Sequence, residues 1–127
     1  MPRPPKPSAG ELEILRVLWR RGPSTVHQIH PELKRGDRVG YTTVLKLLQI
    51  MFEKGLVRRD ESTRPHVFRA AVAEAQVKRR LVAELLDQAF EGSSMNLVMQ
   101  ALSAKPATPE EVRKLRRLLD EMEGERS

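Results

Sequence analysis

Thr43, Lys46, Leu47 and Ile50 recur at i, i+3, i+4 and i+7, the spacing that lines one side of an α-helix. A hydroxyl, an amine and two apolar groups on one face can touch phosphates, base edges and thymine methyls in a major groove. Thr42 adjoins the group. Downstream, Arg58, Arg59, Arg64, His66 and Arg69 flank a short polar segment. Guanidinium groups placed there suit a nucleic-acid backbone. A second reading of Leu47 and Ile50 is open, in which they pack against a neighbouring hairpin or a partner.

Other residues invite chemistry and do not sustain it. His27 and His30 have an i, i+3 spacing that could hold a metal, but no third ligand is near and the chain has no cysteine. They are read as solvent-facing or phosphate-contacting, and no metal is expected. Glu110 and Glu111 follow Thr108-Pro109 and belong to a helix start, not to an acid–base pair. No glycine-rich phosphate loop or nucleophile motif is found. The expectation is a protein that is not an enzyme and has no cofactor.

These residues need elements to hold them. A first helix is predicted over 8–21. Ser8 is its N-cap, Glu11 completes a capping box, and Leu12, Leu15, Leu18 and Trp19 form its apolar stripe. Gly22-Pro23 ends it. Ser24 or Thr25 caps a second, short helix with Val26, Ile29 and Leu33 inward, and Pro31 should kink or tighten it. Gly36 to Gly40 is a turn. The third helix runs from Tyr41 to Lys54 and stops at Gly55. Its core side is Val44, Leu48, Met51 and Phe52, roughly 130° from the Thr43–Ile50 face at 100° per residue.

Leu56–Arg59 and His66–Arg69 then read as two strands of a hairpin with a loop over 60–65. Three helices followed by a basic hairpin is the winged helix-turn-helix order. Beyond it the pattern is helical again. Val77, Leu81, Leu85 and Ala89 make one stripe, widened by Val82, Leu86 and Phe90. A helix with Leu97, Val98, Ala101 and Leu102 follows, and then one with Val112, Leu115, Leu118, Leu119 and Met122. So short a helical region buries little surface alone, and its apolar faces call for a partner, most simply a second copy.

Charge divides along the same line. Residues 1–71 hold 14 Lys/Arg against 7 Asp/Glu, while residues 72–127 hold 9 against 10. A basic module followed by a near-neutral one suggests polyanion binding with a separate task behind it. No apolar run approaches a membrane span, so no direct membrane insertion is expected. The basic, proline-rich 1–7 segment is not a secretory signal, and absence of cysteine fits a cytoplasmic address.

Several runs resemble the BlaI/MecI/CopY family of penicillinase-type repressors. They are Glu11-Leu12-Glu13-Ile14-Leu15 with Leu18-Trp19, Gly22-Pro23-Ser24-Thr25-Val26, Tyr41-Thr42-Thr43-Val44-Leu45, Glu53-Lys54-Gly55-Leu56-Val57, and His66-Val67-Phe68-Arg69-Ala70. The resemblance spans about residues 8–124. It implies a homodimer that binds double-stranded DNA at an inverted-repeat operator, with Thr42, Thr43 and Lys46 on the DNA side. It also implies relief of repression through a membrane sensor metalloprotease pathway that cleaves the repressor. Familiar members are cut at Asn-Phe, where this chain has Gln100-Ala101. Many relatives carry Thr-Thr at the positions of Lys46 and Leu47, and a basic residue at that of Ile50. The copper-responsive branch senses through cysteines, which this chain lacks.

The expected fold is therefore mainly α, a winged helix-turn-helix with a C-terminal helical dimerisation region. Residues 1–7 form a flexible basic tail, 8–71 the DNA-binding domain and 72–124 the dimerisation region. Expected DNA contacts are Thr42, Thr43, Lys46, Leu47, Ile50, Arg58, Arg64 and His66. Val77, Leu81, Leu85, Leu118 and Leu119 are expected to serve pairing, and Gln100 and Ala101 cleavage. The rival is a basic winged-helix adaptor or RNA-associated protein without operator specificity.

Overall fold

The computed structural model describes residues 5–33 and 39–126. The expected turn falls partly on 36–38, and the expected tail partly on 1–4; those residues lie outside the described ones. Of the rest of the tail, Pro7 is buried rather than free.

The first helix, α1 (Ala9–Arg21), begins where the sequence demands. Glu11 N–H donates to Ser8 Oγ at 3.2 Å, and Ser8 N–H donates to Glu11 Oε1 at 2.8 Å, closing the capping box. Gly22 ends the helix with φ 90°, a conformation that side chains other than glycine's resist. The buried stripe is centred on Ile14, Leu15, Val17 and Leu18. It is rotated from the expected one, leaving Leu12 and Trp19 half-buried. The Trp19 Nε1–H accordingly reaches the Val72 carbonyl, at 2.9 Å.

Thr25, not Ser24, caps α2 (Val26–Ile29), pairing with Gln28 in a second capping box. Ser24 instead exchanges two backbone hydrogen bonds with Phe68, at 2.9 and 2.8 Å, and forms an isolated bridge at the edge of the sheet. Pro31 sits in a 3₁₀ turn, His30–Glu32, that tightens the chain directly after α2. The tighter winding accommodates a residue without an N–H.

Helix α3 (Tyr41–Lys54) has the predicted bounds and stops at Gly55, whose φ of 83° is left-handed. Strands β1 (Val57–Asp60) and β2 (Val67–Ala70) pair antiparallel, Val57 opposite Ala70 and Arg59 opposite Phe68. Each lies one residue later than the sequence pattern suggested. Ile14, Leu15, Ile29, Val44, Leu48, Met51 and Leu56 are fully buried together, and complete burial of one such side chain stabilises the fold by about 1.5–3 kcal/mol. Phe68 and Val57 join them from the sheet. This is a mainly helical fold in the winged helix-turn-helix arrangement.

Helices α4 (Glu74–Ala89), α5 (Ser94–Ala104) and α6 (Pro109–Arg126) follow. The chain forms two compact units, Met1–Val82 and Ala83–Ser127, with the boundary inside α4. In the second unit, Ser93 Oγ accepts from Asn96 N–H to cap α5. Thr108 and Glu111 form a capping box at α6. The Thr108 backbone N–H and hydroxyl hold the Glu111 carboxyl below its ordinary value. Leu97, Val112 and Leu115 are half-buried there. Val98, Leu102, Leu118, Leu119 and Met122 remain between 39% and 60% exposed. The inward positions expected for Val98, Ala101, Leu102, Leu118, Leu119 and Met122 are thus not reached within one chain. Too little structure surrounds them to cover them.

No helix among the described residues is long and apolar enough to cross a membrane.

Candidate nucleic-acid interface

Helix α3 presents its two faces as its sequence spacing requires. Val44, Leu48 and Met51 are fully buried, while Thr42, Thr43, Lys46 and Ile50 are exposed. Leu47 is intermediate. It stands one turn before Met51, at the edge of the core side, and packs against the core rim. A Cβ placed on Gly10 would meet Leu47 Cδ1 at 3.4 Å, so α1 closes over that edge. The open part of the face is therefore Thr42, Thr43, Lys46 and Ile50. Leu45, which the periodicity did not single out, is also exposed.

Phe52 departs from expectation. It is 37% exposed and not in the core, where Leu56 and Phe68 take the space. Its ring lies under the guanidinium of Arg59, 4.2 Å from plane centre to carbon. Arg59 also donates from Nη1 to Gln49 Oε1 at 2.9 Å and from Nε to Glu61 Oε1 at 2.8 Å. Its Nη2 is bonded to the same carboxylate. Gln49 in turn donates to Glu53 at 3.2 Å. This network joins α3 to the hairpin, and local sequence patterns gave no sign of it.

The other face of the hairpin is different in kind. Arg58 and Arg69 stand directly opposite each other across the strands. They line a shallow cleft of about 360 Å³ with Pro23, Arg59, Asp60 and Val67. Like charges at such a pair repel. Neither guanidinium, nor that of Arg64 in the loop, makes a hydrogen bond or ion pair among the described residues. Asp60 answers them only partly. Its carboxylate accepts from Ser62 Oγ at 2.6 Å and from Ser62 N–H at 2.9 Å. Those two bonds, aided by the charges of Arg69 and His66, hold its carboxyl below the ordinary value. They also start the loop with a side-chain-closed turn. His66, at the loop's end, is half-buried.

His27 and His30 gather around Tyr41. The His27 ring lies 4.8 Å from that of Tyr41, and the His30 ring meets it edge-on at 6.4 Å. His30 Nε2 is 2.6 Å from the Val39 carbonyl, a distance at which that ring nitrogen donates. Among the described residues no three His, Cys, Asp or Glu side chains cluster.

A basic hairpin thus lies beside a helix face that is partly polar and partly apolar. The profile of the penicillinase repressor family matches residues 7–121. The chain belongs to that family. The transcriptional regulator BlaI of Mycobacterium tuberculosis is 30% identical over 118 residues, covering 91% of this chain and 85% of that one. The penicillinase repressor of Staphylococcus aureus is 18% identical over 115 residues, covering 91% of each. A MarR family transcriptional regulator from Silicibacter pomeroyi DSS has a TM-score of 0.46 at 19% identity, covering 92% of this chain and 69% of that one.

The remaining sequence-predicted residues lie outside α3 and the hairpin. Val77 is 5% exposed, so its surface is already used within the chain, and Leu81 is half-buried. Leu85 is exposed on α4, and Leu118 and Leu119 on α6. Gln100 and Ala101 lie within α5, and both are exposed.

Proposed function

We propose that this penicillinase-repressor-family chain is a sequence-specific DNA-binding transcriptional repressor acting as a homodimer on an inverted-repeat operator. The observation that carries the reading is the exposed Thr42, Thr43, Lys46 and Ile50 face of α3, flanked by a hairpin whose Arg58, Arg64 and Arg69 have no hydrogen-bonded or ion-pair partner among the described residues. The helix face enters the major groove. Lys46 donates to a base edge or phosphate, Ile50 meets a thymine methyl, and Thr42 and Thr43 bond to the backbone. Arg58, Arg64 and His66 follow the phosphates beside it. Leu47 contributes at the rim.

Residues 8–71 serve DNA and 72–124 serve pairing. Leu85, Leu118 and Leu119 supply exposed apolar surface for the second copy, and Val77 and Leu81 shape the helix that carries it. Relief of repression comes from separating the two copies. Cleavage near Gln100-Ala101, in a membrane sensor metalloprotease pathway, is one route to that separation. The setting for all of this is the cytoplasm.

The test compares the purified protein's affinity for an inverted repeat upstream of its own gene with that for a scrambled duplex. A preference of about a thousandfold or more is the mark of specific binding. Equal affinity would leave a basic adaptor or RNA-associated protein as the better description.

A further inference from the structure

Among the described residues, Arg59 is the hairpin arginine that bonds to α3. Its side chain is 19% exposed, its fork is bonded to Gln49 and Glu61, and its plane covers Phe52. Gln49 lies one turn beyond Lys46 on α3, and its amide is itself oriented by the bond to Glu53. Glu61 lies just past the end of β1, in the loop. The guanidinium thus spans from the flank of the exposed helix face to the first residue of the loop.

We propose that Arg59 is a positioning residue. It braces the hairpin loop against α3 in the free protein and favours DNA binding through that preorganisation, without touching phosphate. The second half rests on the DNA-binding reading above. Two strands of four residues each are too short to fix the direction of a loop unaided. Ser24 and the core hold the strands at their base, and a tie that steadies the loop itself must reach helix and loop together. Arginine's planar, multi-donor fork does this, and a lysine's single ammonium does not. A phosphate contact would require Arg59 to abandon Gln49, Glu61 and the ring of Phe52. Arg58, Arg64 and Arg69 face no such loss, because their guanidinium groups have no hydrogen-bonded or ion-pair partner among the described residues.

The decisive variant is Arg59→Gln combined with Glu61→Gln, which removes the brace and leaves the net charge unchanged. Amide hydrogen exchange over residues 60–67 of the free, full-length protein should accelerate. Gln49→Ala should do the same, and Gln49→Glu, which keeps an acceptor, should not. Affinity for the operator should fall roughly threefold to tenfold, the cost of ordering on DNA what was ordered beforehand. The salt slope of binding should stay as in the wild type, whereas loss of a phosphate contact lowers it by about 0.9. A slope that drops by that amount overturns the proposal, as does unchanged hairpin exchange. A wild-type chain that binds no duplex overturns the DNA reading and the second half with it. The exchange rates still decide whether the brace exists.

Discussion

The Glu11 carboxylate accepts a hydrogen bond from the Lys54 ammonium at 2.8 Å, tying the first turn of α1 to the last turn of α3. Glu11 is 2% exposed, and burial by itself raises its pKa. The Lys54 hydrogen bond, the Ser8 bonds and the Lys54 charge outweigh that and hold the carboxyl below its ordinary value of 4.5. One residue thus caps α1 and positions the helix proposed to read DNA. Lys54→Met should cost about 1.5–3 kcal/mol near neutral pH, the value of a hydrogen bond to a charged group. Because the folded pKa is lowered, the stabilisation is present above the unfolded value and is lost as pH falls through the folded one. Urea unfolding of both proteins should therefore show a gap near pH 7 that narrows below about pH 4. A gap independent of pH would contradict the assignment.

Lys46 and Arg64 are expected to fail differently. Lys46→Ala should weaken operator binding by about 1–3 kcal/mol if its amine meets a base edge, with little effect on random duplex. Arg64→Ala should weaken binding to all sequences alike and lower the salt slope by about one. Titrations of both variants on operator and scrambled duplexes, at several salt concentrations, separate the two roles. Equal, sequence-independent losses would reduce Lys46 to a backbone contact.

How far the sequence led depended on distance along the chain. The Ser8 and Thr108 capping boxes, the bounds of α3 and the two-sidedness of that helix are local. They follow from spacing, from a hydroxyl placed three residues before an acid, and from Gly55 after the last turn. The differences between pattern and structure lie between elements. Phe52 has the right period for the core, but the hairpin supplies Phe68 instead and leaves Phe52 to Arg59. Ser24 and Thr25 are equally suited in type to cap α2, but Phe68 engages both backbone groups of Ser24 and leaves the cap to Thr25. Leu47 belongs by angle to the outward face and by neighbours to the core rim. The Gln49–Arg59–Glu61 network joins residues whose types are unremarkable in sequence and whose meeting depends on where the hairpin folds.

Replacing Leu85 and Leu118 with Glu tests the pairing proposal. Both are about half exposed in the single chain, at 47% and 51%, so their replacement should disturb the chain's own packing little. The sedimentation-derived mass should fall from that of two copies to that of one, with far-ultraviolet dichroism retained. A dimer that survives both changes would place the contact elsewhere.

Induction by cleavage faces a geometric obstacle. Gln100 and Ala101 are exposed yet lie inside α5, where the backbone is wound into helix. A protease site there requires local opening. Once cut, the copies would lose the avidity that keeps a two-site complex in place. Separation of the two copies should relieve repression, and mass spectrometry of the repressor from cells exposed to a cell-wall-active antibiotic tests whether cutting causes it: a fragment ending between Leu97 and Leu102 would support that route. Derepression with the chain intact would exclude cutting as the trigger.

The most direct test of the central claim is selection from a random duplex library with the purified wild-type chain. The recovered sequences should share an inverted repeat whose half-sites are about one helical turn, 10–10.5 base pairs, apart. Lys46→Ala should lose its preference at one position of each half-site. Recovery of duplexes with no shared motif, bound with one common affinity, would contradict the reading of α3 as a recognition helix.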